Sequence, residues 1–433
     1  MASTGDKRIN GGMSRRQLLQ RGLQVGVALG AGSLLAACGS DDGDATSGGG
    51  APRRSGRVDL LRGLPVVALF TTLENDYYSG WDEGGRRAVE ALGGEYRAFT
   101  NDNDPAKEVA TFQNQIQAGA RIFFMTAPDP SNIRTIAELA NRHRVYVVNF
   151  WESPEWYTPF ESGPYYVSYL TNNSFEAGRM LAEALFERMG GRGGLVHISG
   201  FPGSTPDWQR TEGMREALKR YPGIRLLASQ PGKWNRDDAR DAMAGIIRKV
   251  GKDNINGVFA ANDDCGIGAM NALQEAGVDL ANVPITGVDG NVGTMDFIKA
   301  GRFYASYSSL PWWCAGFSAV RAIDAYMGVR FNAAERQLWT GGIVVTRDNA
   351  DAYLKTFAES DPFDWPKMSR YLNPRDWDPQ NAVRPLELDV MWRGQPRPRG
   401  FRVPSEYQRA VDSGLLERVA AEYAAHYRQK ISI

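Results

Sequence analysis

The sequence predicts an α/β fold of doubly wound parallel sheets, divided between two similar lobes and followed by a C-terminal extension. Three observations lead there. From Pro65 to Thr346 short apolar runs alternate with segments of helical period, the repetition that buries a parallel sheet between layers of helices. The strands so obtained are too many for one ordinary sheet, and two lobes separated near Leu170 fit better. Strand ends also carry polar groups, most clearly in the stretch Gly257–Gly290. There Val258-Phe259-Ala260-Ala261 and Val283–Val288 flank a helix-period segment, Gly266–Ala276, closed by Gly277. Asn262-Asp263-Asp264 follows the first run and Asp289-Gly290 the second. Ligands of open parallel sheets bind beyond the carboxyl ends of the strands. Asn262 and Asp289 are therefore ligand candidates, whereas Asp264 reads as a cap of the next helix.

Taken in order, Val66–Phe70 is the first apolar run, and Tyr78–Leu92 has helix-spaced apolar residues before Gly93-Gly94. Tyr96–Phe99 reads as a strand, Pro105–Ala118 as a helix, Arg121–Met125 as a strand, Pro130–Arg142 as a helix and Val145–Phe150 as a strand. Trp151–Gly163, aromatic and broken by two prolines, is a loop. After the strand Tyr166–Leu170 come helix Ser174–Met189, strand Leu195–Ser199, helix Pro206–Arg220, strand Ile224–Ser229 and helix Arg236–Val250. Beyond the Gly257–Gly290 stretch follow helix Gly293–Ala300, strand Tyr304–Leu310, helix Trp312–Met327 and a last strand, Gly342–Thr346.

Bulk properties exclude several classes. Among 433 residues, Lys plus Arg and Asp plus Glu both total 50, which offers no electrostatic case for nucleic acid. His143, His197 and His426 are scattered, so no metal site is expected. Three cysteines without a CxxC are too few for a disulfide framework. No GxGxxG after a strand in the mature chain and no GxSxG suggest an enzyme, and no cofactor is expected. Cys265 and Cys314 start predicted helices, where a thiol pKa can fall, but a buried structural cysteine is the commoner case.

The N-terminus reads as an address. Ser14-Arg15-Arg16-Gln17-Leu18-Leu19 precedes a glycine-broken apolar run that is short for a membrane span. It resembles a twin-arginine signal, and Leu35-Ala36-Ala37-Cys38 resembles a bacterial lipobox. The expectation is a signal peptide over residues 1–37, a lipidated Cys38 and a flexible Gly/Ser/Asp-rich tether to residue 63.

From about Leu64 to Phe357 the chain resembles the type I periplasmic sugar-binding proteins, the ribose-binding group. The resemblance rests on Asn75-Asp76-Tyr77-Tyr78, Asn103-Asp104-Pro105-Ala106-Lys107-Glu108, Arg210-Thr211-Glu212-Gly213-Met214, Ser229-Gln230-Pro231 ahead of Trp234, Asn262-Asp263 and Gly287-Val288-Asp289-Gly290, in that order and spacing. It implies two Rossmann-like lobes, residues 64–168 plus 310–340 and residues 169–309 plus 341–357, joined by a three-segment hinge. Members trap one small ligand between lobes by hinge closure and hand it to an ABC importer. A monomer is expected, held by its lipid at the outer face of the cytoplasmic membrane.

The same resemblance implies a ligand site. Asn75 and Tyr78 would line the first lobe with Tyr77 beside them, although core packing is the plainer reading of Tyr77. Trp234 would stack on the ligand, Asn262 would donate and accept, and Asp289 would accept from two hydroxyls. Where the family has Asp-Arg after the fourth strand, this chain has Asn149-Phe150. A second family arginine falls on Trp208, and a hinge glutamine falls on Ser309. With those guanidiniums replaced by aromatic groups, the expected pocket is less polar and smaller, suited to a neutral sugar or polyol. A phosphorylated or carboxylated ligand is disfavoured, with only Lys233 and Arg236 nearby to favour one. A ligand sensor for a chemoreceptor or sensor kinase is the alternative, and an exported enzyme on the same fold is the weaker one.

Residues 358–433 fall outside that pattern. Asp361–Gly400, rich in Pro, Trp and Arg, reads as a strap or loop. Ser405-Glu406-Tyr407-Gln408 is a possible capping box opening one amphipathic segment in which Val411, Leu415, Val419, Tyr423 and Tyr427 recur every four residues. That helix is expected to pack on one lobe; docking a partner or covering the hinge is the sharper alternative.

Overall fold

The computed structural model describes residues 58–431 and 433. The expected signal peptide, Cys38 and the tether as far as Arg57 lie outside the described residues. The expected tether ends early: Val58 and Leu61 donate backbone hydrogen bonds to Ala91 and Leu92, and Leu61 is buried. An apolar residue that finds core space stays there.

The first lobe runs β1 (Pro65–Phe70), α1 (Asp76–Ala91), β2 (Glu95–Thr100), α2 (Pro105–Gln117), β3 (Ile122–Thr126), α3 (Ile133–His143), β4 (Tyr146–Phe150) and β5 (Tyr166–Asn172). The second runs α4 (Ser174–Arg188), β6 (Arg192–Ser199), α5 (Thr205–Leu218), β7 (Gly223–Pro231), α6 (Arg236–Val250), β8 (Gly257–Ala260), α7 (Asp263–Glu275), β9 (Ile285–Val288), α8 (Val292–Lys299) and β10 (Ala305–Ser308). Then α9 (Pro311–Tyr326) and β11 (Gln337–Thr340) return to the first lobe, and β12 (Ile343–Val345) joins the second. Helix α10 (Ala350–Tyr353) packs on the second lobe, where Tyr353 Oη donates to Gly290 O at 2.8 Å, and the extension holds α11 (Trp365–Met368), β13 (Val383–Pro385), α12 (Leu388–Met391), α13 (Ser405–Asp412) and α14 (Leu415–His426).

The two sheets have the orders β13-β11-β5-β4-β3-β1-β2 and β12-β10-β9-β8-β6-β7. All pairings are parallel except the edge pairs β11–β13 and β10–β12. Central strands such as β3 and β8 are buried along their whole length, as helices on both faces require.

Three details depart from the sequence reading. The first crossover falls after Asn172, because Tyr169 and Leu170 still pair with β4 and β11. Gln337–Thr340, to which the sequence reading gave no element, forms strand β11. The strap supplies a strand, β13, that caps the sheet edge. Such pairing is set by a neighbouring edge, not by local alternation.

Asn172 ties the crossovers together: its Nδ2 donates to Thr340 O at 3.0 Å, to Gly341 O at 3.1 Å and to Tyr307 Oη at 3.3 Å. Gly341 N donates in turn to Ala382 O of the extension at 2.7 Å. The extension is anchored on the first lobe by Trp365, whose indole would meet a Cβ at Gly316 of α9 at 2.0 Å. Arg321 of α9 donates to Tyr423 Oη at 3.0 Å, which fastens α14 to the same lobe. The expected single C-terminal helix is two: Gly414, at φ +66°, separates α13 from α14. Val411 is exposed as a result, and the buried set is Tyr407, Ala410, Leu416, Val419 and Tyr423.

Candidate functional site

Strand ends of both lobes meet at one crevice, and the backbone there is unusual. Trp151 after β4 has φ +72°, Trp234 after β7 has φ +62° and Asp289 after β9 has φ +129°. Non-glycine residues avoid this region unless their surroundings hold them there, and such residues cluster at ligand sites. Gly200, after β6, makes room for one of them: a Cβ there would stand 2.2 Å from the Trp234 ring.

Arg210 lies between the two tryptophans. Its guanidinium carbon is 5.4 Å from the Trp151 ring centroid and 5.5 Å from that of Trp234, so aromatic faces from both lobes flank one cation. Its Nη1 donates to Ala261 O at 2.6 Å, and its Nε is buried without a partner. A close crossing of α4 and α5 puts it there, since a Cβ on Gly178 would lie 2.4 Å from Arg210 O and one on Gly213 would lie 2.1 Å from Phe175 O. Burial works against the charge on Arg210, and Asp289 is the leading group that supports it.

Asp289 is buried, which pushes its carboxyl well above the usual carboxylate range, while Arg210 pulls it back. Asn262 Nδ2 donates to Asp289 Oδ2 at 3.2 Å, and Asn262 Oδ1 accepts from Cys265 N at 2.9 Å as the N-cap of α7. Asp264, expected to be that cap, instead accepts from Arg236 Nε at 2.6 Å. Asp263 accepts from Ser306 Oγ at 2.6 Å and Asn291 N at 2.9 Å; burial raises it to about 7.

On the first lobe, Trp151 Nε1 donates to Tyr77 Oη, and Thr71 Oγ1 donates to Tyr78 Oη at 3.0 Å. Asn75 is the N-cap of α1, its Oδ1 accepting from Tyr78 N at 3.0 Å. Asn149 Nδ2 donates to Glu152 O at 2.7 Å and Tyr166 Oη at 3.1 Å, leaving its Oδ1 buried and unpaired. Tyr77, Tyr78, Trp234, Asn262 and Asp289 thus gather around Arg210 and Trp151.

Three expected residues stand apart. Phe150 is fully buried and packs edge-on against Trp81 and Trp151, behind the crevice wall. Trp208 stacks on Trp392 of the extension, 5.8 Å between centroids. Ser309 is buried at the second crossover with its Oγ unpaired. The aligned positions hold Phe150 and Trp208 and no arginine, yet Arg210, outside them, lies in the crevice. Trp208, two residues back, takes the aligned position, and two residues rotate an α-helix by about 200°, so Arg210 points from the other side of α5 into the crevice. Cys265 and Cys314 are buried structural cysteines, the commoner case, and burial raises both thiols.

The lobes touch directly. Glu152, after β4, accepts from Ser204 Oγ at 2.7 Å and Thr205 N at 3.0 Å, so a first-lobe carboxyl caps the second-lobe helix α5. Burial raises Glu152 to about 7. Across the crevice Asp76 Oδ2 accepts from Gly293 N at 2.9 Å. This is a closed two-lobe arrangement.

Two α/β lobes on a three-segment hinge, with polar and aromatic side chains converging between them, define a protein that binds a small solute by enclosing it. The chain belongs to the type I periplasmic sugar-binding proteins of ABC importers: residues 66–328 match the family model described as a periplasmic binding protein domain. It is 24% identical over 246 residues to the ribose import binding protein of Salmonella typhimurium, 57% of this chain and 79% of that one. It is 38% identical over 127 residues to the xylitol-binding protein of Mycolicibacterium smegmatis, 29% of this chain and 36% of that one. A solved structure of a twin-arginine translocation pathway signal protein from Burkholderia phytofirmans superposes with a TM-score of 0.66 at 27% identity, covering 70% of this chain and 96% of that one. No helix among the described residues is long and apolar enough to cross a membrane.

Proposed function

We propose that this protein captures a small neutral carbohydrate, a sugar or polyol, between its lobes and delivers it to an ABC importer. The observation that carries the reading is the set of Asp289, Asn262 and Arg210 between Trp151 and Trp234. Arg210 and Asp289 face each other without an ion pair within 4.0 Å, so each keeps capacity for a hydroxyl. The unpaired Arg210 Nε and the unpaired amide of Asn291 add donors and an acceptor. Flat rings cover the C–H faces of a carbohydrate while these groups replace water at its hydroxyls.

Burial favours a neutral ligand. It pushes the carboxyls of Glu152, Asp207, Asp263 and Asp289 towards their neutral forms and works against the charge on Arg210, so the same desolvation disfavours a phosphate or carboxylate brought into the crevice. The ribose and xylitol named for the relatives belong to the same chemical class. Asn75, Tyr77 and Tyr78 supply the first-lobe side, and Asn149 contributes its free Oδ1.

A thermal-shift screen with sugars, polyols and cyclitols tests this. A ligand at 100 times its Kd adds about 2.7 kcal/mol, a shift of several degrees. Stabilisation by sugar phosphates or amino acids with none by neutral sugars and polyols overturns the reading. The lipid anchor on Cys38 belongs to the same proposal: Cys38→Ala releases the protein from membranes into the soluble fraction, and unchanged membrane retention refutes the anchor.

A further inference from the structure

The segment after β13 supplies none of the residues gathered around Arg210 and Trp151, yet it touches both lobes. It is rooted on the first lobe: β13 pairs with β11, Trp339 Nε1 donates to Glu387 Oε2 at 3.1 Å and Tyr407 packs on Phe160 at 6.0 Å between centroids. Phe401 packs on Trp156, in the loop after β4, at 5.1 Å between centroids. From these roots residues Met391–Gly394 overhang the second lobe. Trp392 stands between Trp156 of the first lobe, 6.3 Å away, and Trp208 of the second, 5.8 Å away at 21°. Gln209 Nε2 donates to Met391 O at 3.4 Å, and the Arg393 guanidinium lies 4.6 Å over the Phe175 ring. Trp208 and Gln209 sit on the first turns of α5, the helix whose N-terminus Glu152 caps from the other lobe.

We propose that Met391–Gly394, with Trp392 at its centre, is a clasp that holds the cleft shut, a positioning element supplied by the extension. This rests on reading the cleft as a hinged trap, but not on which ligand it takes. An arm fixed to one lobe and stacked on the other loses its second set of contacts when the lobes part. It therefore adds to the closed state and nothing to the open one. The clasp is also built to release. Trp156 Nε1, Trp392 Nε1 and Gln209 Oε1 are buried without partners, so docking forfeits their hydration and offsets part of the stacking gain. Trp208, which stands at the position of a family arginine, becomes the far jaw of the clasp.

Hydrogen–deuterium exchange on the ligand-free full chain tests this. The amides of Thr205 and Gly293 are bonded only across the cleft, to Glu152 and Asp76. In Trp392→Ala both exchange about tenfold faster, the scale of an aromatic stack, while sheet amides such as Val67 and Val258 keep their protection. Trp392→Phe, which still stacks, restores protection, and Trp208→Ala reproduces the loss from the other side. Unchanged exchange at Thr205 and Gly293 in Trp392→Ala overturns the clasp. Equal acceleration in the sheets also overturns it, by showing a packing role alone. Failure of the carbohydrate reading shows separately, as absence of any thermal shift in the wild-type protein, and leaves the exchange result standing.

Discussion

Asp289 holds its strained backbone in a buried position where Asn262 donates to it and Arg210 faces it. Removing that acceptor leaves both donors with less to bind. Asp289→Ala is expected to weaken ligand binding by about 2–4 kcal/mol in calorimetry, and wild-type affinity in the variant would remove Asp289 from the site. Gly200 works by what it lacks. In Gly200→Ala the new methyl meets the Trp234 ring, so the indole must swing away. The expected result is ligand affinity lowered about tenfold and a changed near-ultraviolet tryptophan signal, with stability lower by about 1–3 kcal/mol. An unchanged tryptophan signal would show that the ring does not fill that space. Asn262 and Asp289 were legible in the sequence because strand ends in a parallel sheet point to one edge. Arg210 was not, because a helical residue's direction depends on how its helix is laid against the sheet.

Helix α5 begins without a side-chain cap of its own; Ser204, at its N-cap, makes no such bond. The cap is Glu152 from the other lobe, so the helix terminus and the closure of the cleft depend on one carboxyl. Burial between the lobes raises Glu152 from an ordinary 4.5 to about 7, with Asp129 adding to the rise, and an opening that exposes the carboxyl reverses this. The closed form therefore takes up a proton. Its contribution to closure is fully present below the ordinary carboxylate range, is lost as pH rises through about 7 and is flat above that. Ligand affinity measured by titration calorimetry across that window is expected to fall with rising pH in the wild type and to lose this component in Glu152→Gln. A slope that persists unchanged in the variant assigns it to another group. The C-terminal helices teach a related lesson: a period of four continued through Ser413-Gly414, but a left-handed glycine reset the helix and left Val411 exposed.

Across the whole molecule, Asn172 joins three crossovers with one amide. Asn172→Ala leaves the Thr340 and Gly341 carbonyls short of a donor and is expected to cost about 1–3 kcal/mol in denaturant unfolding. A loss under a few tenths would show that the crossovers hold without it. The extension is part of the folded body as well. Deleting Phe401–Ile433 uncovers the site of Tyr423 and strips Arg321 and Glu335 of a shared partner. The truncated protein is expected to be insoluble on expression, and soluble, ligand-competent protein would show that α13 and α14 are dispensable.

Alternating apolar runs, capping residues and glycine stops made the two-lobed α/β fold readable from residue order alone, since each depends on neighbours within a few positions. The same locality exposed the strand-end Asn262 and Asp289. What only the tertiary structure decided are features that join distant segments: Arg210 between Trp151 and Trp234, Glu152 capping α5, β13 on the sheet edge, and Trp392 between the lobes. None has a periodic signature, because each is selected by the space left when two lobes and an extension pack together. Residue order sets which surfaces each element can bury, and three-dimensional packing sets which of them meet.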